Sequence, residues 1–194
     1  MTAKEKFAVL LQLAVELRKN GSWAGETHVQ KATYFLQELL GVPTAFEFVL
    51  YKHGPFSFDL RESLNEMEAE RLIELKEQRY PFGPKIAEGQ AAPRLRASAP
   101  SAQNFEKQIA FISHELSNAG VAELERIAMA LFVTLDSAIK PADRAQKLVE
   151  LKPHVTLPEA KTAFTKLEEI RAAALNSSLH GVYGNAAAIG NRQQ

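Results

Sequence analysis

The sequence predicts a mainly α-helical protein with a small β wing (α+β), in which a winged-helix-type N-terminal half is followed by a helical bundle. Two observations predict it. Residues 1–98 read in the order helix, helix, strand, helix, strand, loop, strand, and the residues after them keep a helical spacing of apolar side chains throughout. We therefore expect a winged-helix-type domain over 1–98, a bundle packed on it over 99–175, and a flexible tail over 176–194.

Capping signals mark the first two helices. Thr2 and Glu5 have the spacing of a capping box, and Asn20-Gly21 supplies a left-handed stop. Thr27 and Gln30 repeat the capping-box spacing and predict a second helix that ends at Gly41.

The stretch after the second helix predicts a strand, a corner and a third helix. Phe46–Tyr51 is aromatic and β-branched, as strands are, and the His53–Pro55 segment is expected to end it. Ser57 is a good N-cap for a helix over Phe58–Glu70. That helix should bury Leu60, Leu64 and Met67.

The wing is predicted from two further strands with a Pro- and Gly-rich loop between them. The sequence indicates one strand at residues 71–75 and a returning strand at residues 93–97.

The second half predicts only helices. One contains Phe105 to Leu116, the next spans about 121–137, a shorter one spans 142–151, and Thr156 with Glu159 opens the last. The 121–137 helix is apolar on most sides, which is typical of a helix surrounded by others. We expect it to be the centre of the second core.

Composition limits the classes of function. The chain has no cysteine, which excludes disulfides and thiol chemistry and fits a cytoplasmic protein. Its charged start is not typical of a signal peptide, and no apolar run has the length of about 18 residues that a membrane span needs. Net charge is zero, yet residues 76–100 carry a net +3. A protein that coats nucleic acid is usually far more basic.

Catalytic motifs are missing from the sequence. No two of the five histidines have the i, i+4 spacing of a helical zinc pair, and no Walker loop, dinucleotide fingerprint or nucleophile elbow occurs. We expect no enzyme activity, no cofactor and no metal.

Four polar residues could form one cluster. Lys31 and Tyr34 lie three residues apart on the second helix, and Tyr51 and His53 follow the strand that should pack beside it. The cluster could recognise a partner peptide or a nucleotide, or it could be a structural network that fixes the Gly54-Pro55 corner. The structural interpretation is favoured, because buried polar groups need partners.

Charge argues against DNA binding through the third helix, which occupies the recognition position. Its acidic residues outnumber Arg61 by five to one, and phosphates would repel them. Basic residues occur instead in the wing, where they could contact phosphate or simply keep a hairpin edge solvated. These candidate nucleic-acid contacts are Arg79, Lys85, Arg94 and Arg96, with Lys76 beside them.

The wing also carries apolar residues that could contact another protein. They are Tyr80, Phe82 and Ile86, which could instead fold back on the domain.

Two motifs resemble a known family. The segments at residues 28–35 and 51–60, together with Leu64, Met67 and Leu72-Ile73, resemble the YwgA-like proteins of bacteria. More distantly they resemble the Panacea antitoxin domain, which has a similar "QK-x-x-YF" helix and "Y-x-x-GP" corner. The resemblance covers about residues 5–75 well and the second half loosely. It implies a winged-helix-type N-terminal half, a non-enzymatic role and, from Panacea, neutralisation of a toxin by contact with a partner protein.

Two functional hypotheses follow. The first is a protein-interaction module, antitoxin-like or an accessory of a defence system, whose partner is a toxin or defence effector. The second is a winged-helix DNA-binding regulator that acts through its basic wing, with a homodimer as its expected form.

Overall fold

The computed structural model describes residues 1–79 and 83–179, and within them it is mainly α-helical with two short antiparallel hairpins. The helices are α1 (Ala3–Lys19), α2 (Glu26–Glu38), α3 (Phe58–Ala69), α4 (Ala92–Ser98), α5 (Glu106–Leu116), α6 (Val121–Leu135), α7 (Arg144–Leu151) and α8 (Leu157–Asn176). The strands are β1 (Val49–Tyr51), β2 (Gly54–Phe56), β3 (Ile73–Lys76) and β4 (Lys85–Glu88). The predicted fold class, mainly α with a small β wing, is confirmed.

Two of the three predicted capping boxes are formed. The Thr2 amide donates to Glu5 at 2.7 Å, the Thr156 amide donates to Glu159 at 2.9 Å, and each threonine hydroxyl accepts from the backbone in return. The third prediction, Thr27 with Gln30, is wrong. Helix α2 begins at Glu26, after its N-cap Gly25. The box does not form because the side-chain amide of Gln30 bonds the backbone of Ser57 instead.

The strand predicted over Phe46–Tyr51 is shorter than expected. The backbone of Phe46 is satisfied by the Gln37 side chain, which accepts from its amide at 2.8 Å and donates to its carbonyl at 3.0 Å. Only 49–51 pairs as a strand, and its partner is the segment 54–56. The predicted corner is therefore a tight hairpin, in which Gly54 has φ +86°.

The wing returns earlier in the chain than predicted. Strand β4 covers 85–88 and pairs with β3, whereas the predicted strand at 93–97 lies within helix α4. Pro93 stands in the first turn of α4, where a missing amide costs nothing. At the base of the wing the Gly89 amide donates to the Leu72 carbonyl at 3.0 Å, so the hairpin closes before residue 90.

Helix α6 packs against α8, α7, α2 and β2, and seven of its fifteen residues are buried. Helix α6 is therefore surrounded by other elements, as predicted, but it is not the centre of a separate second core. The buried apolar residues form one cluster that runs from α1 to α8, and α1 packs against α5 across residue 98. The division into domains at 98 stays a prediction. The tail after Leu179 lies outside the described residues.

Over residues 1–79 and 83–179, none of the helices combines the length and the apolar character that a bilayer crossing requires.

Candidate functional site around the third helix

Helix α3 is anchored by its apolar side and turns its carboxylates outward. Leu60, Leu64 and Met67 are buried, as the sequence predicts. Five acidic residues are exposed, and none of them forms an ion pair within the part of the chain that the structure describes: Asp59, Glu62, Glu66, Glu68 and Glu70. The cation of this helix, Arg61, is bound instead to Glu26 of α2, with 2.7 Å between Nε and Oε1. The outward face is therefore negative.

A groove of about 610 Å³ lies beside α3. Its walls come from the start of α2, from α3, from the wing and from the turn between α5 and α6. The apolar lining residues are Trp23, Leu64, Leu75, Pro84, Ile86 and Val121. Leu75 and Val121 keep at least a third of their surface exposed, so the groove is open to an apolar side chain from outside.

Trp23 joins the wing to the loop between α1 and α2. Its indole nitrogen donates to the Gly83 carbonyl at 3.2 Å, and the Lys85 ammonium lies 4.2 Å from the ring centroid. The Ile86 amide donates to the Ala24 carbonyl at 3.0 Å. These contacts hold one wall of the groove against the helical body.

The polar end of the groove is formed by His28 and by two helix starts. His28 is buried, and burial lowers its pKa below the ordinary range even though a bond to the Ala119 backbone acts in the opposite direction. Gly25 and Gly120 are the N-caps of α2 and α6, neither helix has a side-chain cap, and both glycines line the groove. A neutral histidine side chain beside helix amides that no side chain caps can form hydrogen bonds with polar backbone groups of a ligand.

The hairpin β1–β2, just before α3, is fixed by side chains from α2 and from the residue after α7. Lys31 of α2 is 1% exposed and donates to the Pro55 carbonyl at 2.8 Å. Gln30 bonds both the amide and the carbonyl of Ser57, at 3.0 and 2.9 Å. Lys152, just after α7, donates to the carbonyls of residues 51 and 52. The hairpin therefore has a fixed position.

Burial dominates the electrostatics of Lys31. The pKa of the ammonium is lowered to about 8, mainly by burial, while the charge of Glu125 acts to raise it and that of Lys152 to lower it. Glu125 also pairs with His53, with 3.1 Å between Nδ1 and Oε1.

The structure does not bring the four predicted residues together in one polar cluster. Tyr34 is buried, with its ring 4.9 Å from that of Phe48. Tyr51 is half exposed, and His53 lies at the exposed turn. Lys31 donates to the Pro55 carbonyl at the corner, which fits the structural interpretation, and Glu125 is a neighbour that Lys31 shares with His53.

The cations predicted for the wing differ in availability, and two of them, Arg94 and Arg96, lie in α4 rather than in the wing, which ends with β4. Arg96 forms a bidentate pair with Glu88, at 2.5 and 2.7 Å, and Lys85 is stacked on Trp23. That pair holds the pKa of Glu88 below its usual range. Arg79 and Arg94 are exposed, and neither forms an ion pair with another described residue.

One of the three apolar wing residues that were expected to contact another protein is buried instead. Ile86 is 2% exposed, because β4 lies against the loop before α2, so its side chain belongs to the core. The other two, Tyr80 and Phe82, lie outside the described residues.

Sequence reasoning missed several residues that shape this site. Trp23 forms a wall of the groove, and its being the only tryptophan of the chain was an available signal. Gln30 and Lys152 gave no such signal, since their partners lie 27 and about 100 residues away.

No protein-family model matches the chain, and no curated protein matches it significantly. The resemblance to YwgA-like proteins stays a prediction. Among the described residues, no group of three or more His, Asp or Glu side chains is placed to hold a metal ion.

Proposed function

We propose that this chain is a non-enzymatic protein-interaction module that binds a partner protein along α3 and the adjoining groove. The observation that carries the proposal is the unpaired acidic face of α3 beside an apolar groove. Apolar pockets bordered by charge are typical of protein-binding surfaces, in which burial supplies affinity and charge supplies orientation.

The sign of the charge favours a protein over a nucleic acid at this face. Duplex DNA is held mainly by cations on its phosphates, and α3 offers five carboxylates there. A basic protein surface would be attracted by the same groups. The motif resemblance to Panacea domains adds a class of partner, a toxin or defence effector, and the module would then act as its antitoxin or accessory.

Neutralising α3 tests the proposal. The partner would be recovered with the tagged full chain from the native host, purified and titrated against the variant Glu62→Gln/Glu66→Gln/Glu68→Gln. We expect at least a tenfold weaker affinity at low salt and a smaller salt dependence. The matched control is Glu168→Gln/Glu169→Gln on α8, which also removes exposed carboxylates and should bind normally.

Two results would contradict the proposal. One is recovery of chaperones only, and the other is a partner that binds the α3 variant as tightly as the parent.

A second candidate function is DNA binding through Arg79, which follows β3 in the wing, and Arg94 of α4, both of which are exposed. If it is correct, Arg94→Ala should weaken duplex binding and lower the salt slope by about one phosphate contact. Arg96→Ala should have the smaller effect on the slope, since Arg96 is already paired with Glu88. Absence of duplex binding by the parent at low salt would remove this candidate.

A further inference from the structure

An exposed apolar patch covers the junction of the β1–β2 hairpin with α3. All three residues of β1 are exposed, Val49 at 39%, Leu50 at 37% and Tyr51 at 50%, and Phe58 at the start of α3 is exposed at 50%. We call these four residues together with Phe56 the aromatic patch. It lies outside the groove, because none of its members lines that cavity.

The rings of the patch pack on one another. Phe58 lies 5.4 Å from Tyr51 and 5.1 Å from Phe56, centroid to centroid, with edge-to-face angles of 68° and 73°. The Arg61 guanidinium lies 4.6 Å from the centroid of Phe56. Packed aromatic rings beside an arginine are the composition that protein interfaces favour at their centres.

The backbone beneath the patch is held rigidly. Lys31, Lys152 and the Gln30 amide fix the hairpin through its carbonyls and through Ser57. A side chain on a fixed backbone loses less conformational entropy when a partner covers it, so this patch is prepared for binding.

Charge identifies the occupant. Residues 46–70 contain six acidic residues and two basic ones, and one of the two, Arg61, is already paired with Glu26. Asp59 follows Phe58 directly, and Glu62 lies four residues after Phe58 and three after Asp59, on the same side of α3. We propose that the aromatic patch is the anchor site for a partner-protein segment in which an aromatic or large aliphatic side chain is flanked by lysine or arginine.

This inference rests on the proposed function and adds the surface and the chemistry of the partner segment. The apolar side chain would lie on Tyr51 and Phe58, and the flanking cations would reach Asp59 and Glu62. Cations also bind favourably over exposed aromatic faces, so both features of the patch select the same segment. A second copy of this chain would place its own carboxylates against Asp59 and Glu62, which disfavours that occupant.

Peptide display can test the proposal without a known partner. The probe is a phage library of random 12-residue peptides, selected on the immobilised full chain at low salt. We expect enrichment of peptides with an aromatic or large aliphatic residue between lysines or arginines. One enriched peptide, synthesised with a fluorophore, should bind the Tyr51→Ser/Phe58→Ser variant at least tenfold more weakly than the parent.

Controls separate the patch from general apolar exposure and from misfolding. Leu175→Ser removes a side chain that is also 50% exposed, at the end of α8, and should bind the peptide like the parent. Leu50→Ser gives a second measure from the strand side of the patch, and thermal melting verifies that each variant is folded.

The outcomes distinguish the inference from the proposed function. Basic peptides that bind both the parent and the Tyr51→Ser/Phe58→Ser variant equally, but not the α3 glutamine variant, would overturn the patch and leave the proposed function standing. Enriched peptides that are acidic, or no enrichment over the variant, would overturn the inference. If the parent self-associates in sedimentation experiments and the Tyr51→Ser/Phe58→Ser variant does not, the surface binds a second copy of this chain. That result would also overturn the inference.

Discussion

The two β-hairpins of this molecule are held in opposite ways. Hairpin β1–β2 is fixed by side chains that reach into it from α2 and from the residue after α7. The wing, β3–β4, is fixed chiefly by backbone: the Ile86 amide bonds the loop before α2, and the amides of residues 89 and 91 bond the two residues that precede β3. The first hairpin presents apolar residues from a rigid base, whereas the second forms a wall of the groove.

The difference shows that a short hairpin depends on the surrounding residues for its position. A two-stranded sheet of three or four residues is not stable by itself, so its position is determined by what surrounds it. A side-chain anchor can be removed by substituting the residue that provides it. A backbone anchor can be disturbed only by substituting a residue whose small size lets two backbone segments approach closely. Substitutions that alter one anchor at a time can test this contrast.

The backbone-held hairpin should be most sensitive at Gly89. A Cβ added there would overlap the carbonyl of Arg71 and lie 2.9 Å from the amide nitrogen of Ile73, and backbone atoms cannot move aside easily. We expect Gly89→Ala to lower the free energy of unfolding by about 3 kcal/mol or more. Chemical denaturation measures it, with Gly83→Ala as control, since a Cβ at Gly83 meets no atom within 4 Å. Similar midpoints for the two variants would show that the wing base is not closely packed.

Local patterns in the sequence predicted the helices and the order of the elements. Capping residues and apolar spacing are contained within one turn of chain, which is why α1, α3 and α8 were predicted well. The returning strand was predicted wrongly: residues 85–88 pair with β3, and residues 93–97 lie in α4. The pairing brings Gly89 close to Arg71, a contact between distant residues that the local pattern does not show.

The candidate site was less predictable for the same reason. Its geometry depends on pairs that are distant in the chain, such as Lys152 with residues 51 and 52, or Trp23 with Gly83. The acidic character of α3 was readable from its composition, but that its carboxylates remain unpaired depends on Arg61 turning to Glu26.

The side-chain-held hairpin should respond strongly to loss of Lys31. Lys31→Met keeps the apolar stem and removes the donor to the Pro55 carbonyl, which leaves a buried acceptor without its partner. We expect a loss of about 1–3 kcal/mol in the free energy of unfolding. Lys52→Met, an exposed lysine at the turn of the same hairpin, should change it by less than about 0.5 kcal/mol. Equal stability of the two variants would show that Lys31 does not anchor the hairpin.

The same lysine gives the fold a pH dependence of known sign. Burial lowers the pKa of Lys31 from 10.5 to about 8, so the folded state releases its proton at lower pH than the unfolded chain. The unfolded state then binds more protons between pH 8 and 10.5, and stability contributed by this group rises across that window. The stability difference between the parent and Lys31→Met should therefore grow from pH 8 to pH 10.5. A constant or shrinking difference in urea denaturation would contradict the lowered pKa.

At the turn of the first hairpin the expected effect is smaller. Gly54 has φ +86°, and an added Cβ would lie 3.4 Å from Cγ and Sδ of Met129, a side chain that can yield. We expect Gly54→Ala to cost about 1–2 kcal/mol, mainly from the left-handed backbone. Gly54→Ala/Met129→Ala is the informative double variant. If backbone strain dominates, Gly54→Ala should lower the free energy of unfolding by about as much in the Met129→Ala background as in the parent. A clearly smaller loss in that background would assign the cost to the methionine contact.

The smallest effect should come from the cation on the wing. Lys85→Met removes the ammonium 4.2 Å from the Trp23 ring centroid and keeps most of the stem, so we expect a loss of about 0.5–1 kcal/mol. Because Trp23 is the only tryptophan, its emission reports this wall of the groove directly and should change in intensity or wavelength in the folded variant. Lys76→Met, on the other strand of the same hairpin, should leave the emission unchanged. A Lys85→Met spectrum identical to that of the parent would mean that Lys85 does not lie on the indole, and the wing would then be held by the Trp23–Gly83 bond and by its backbone bonds.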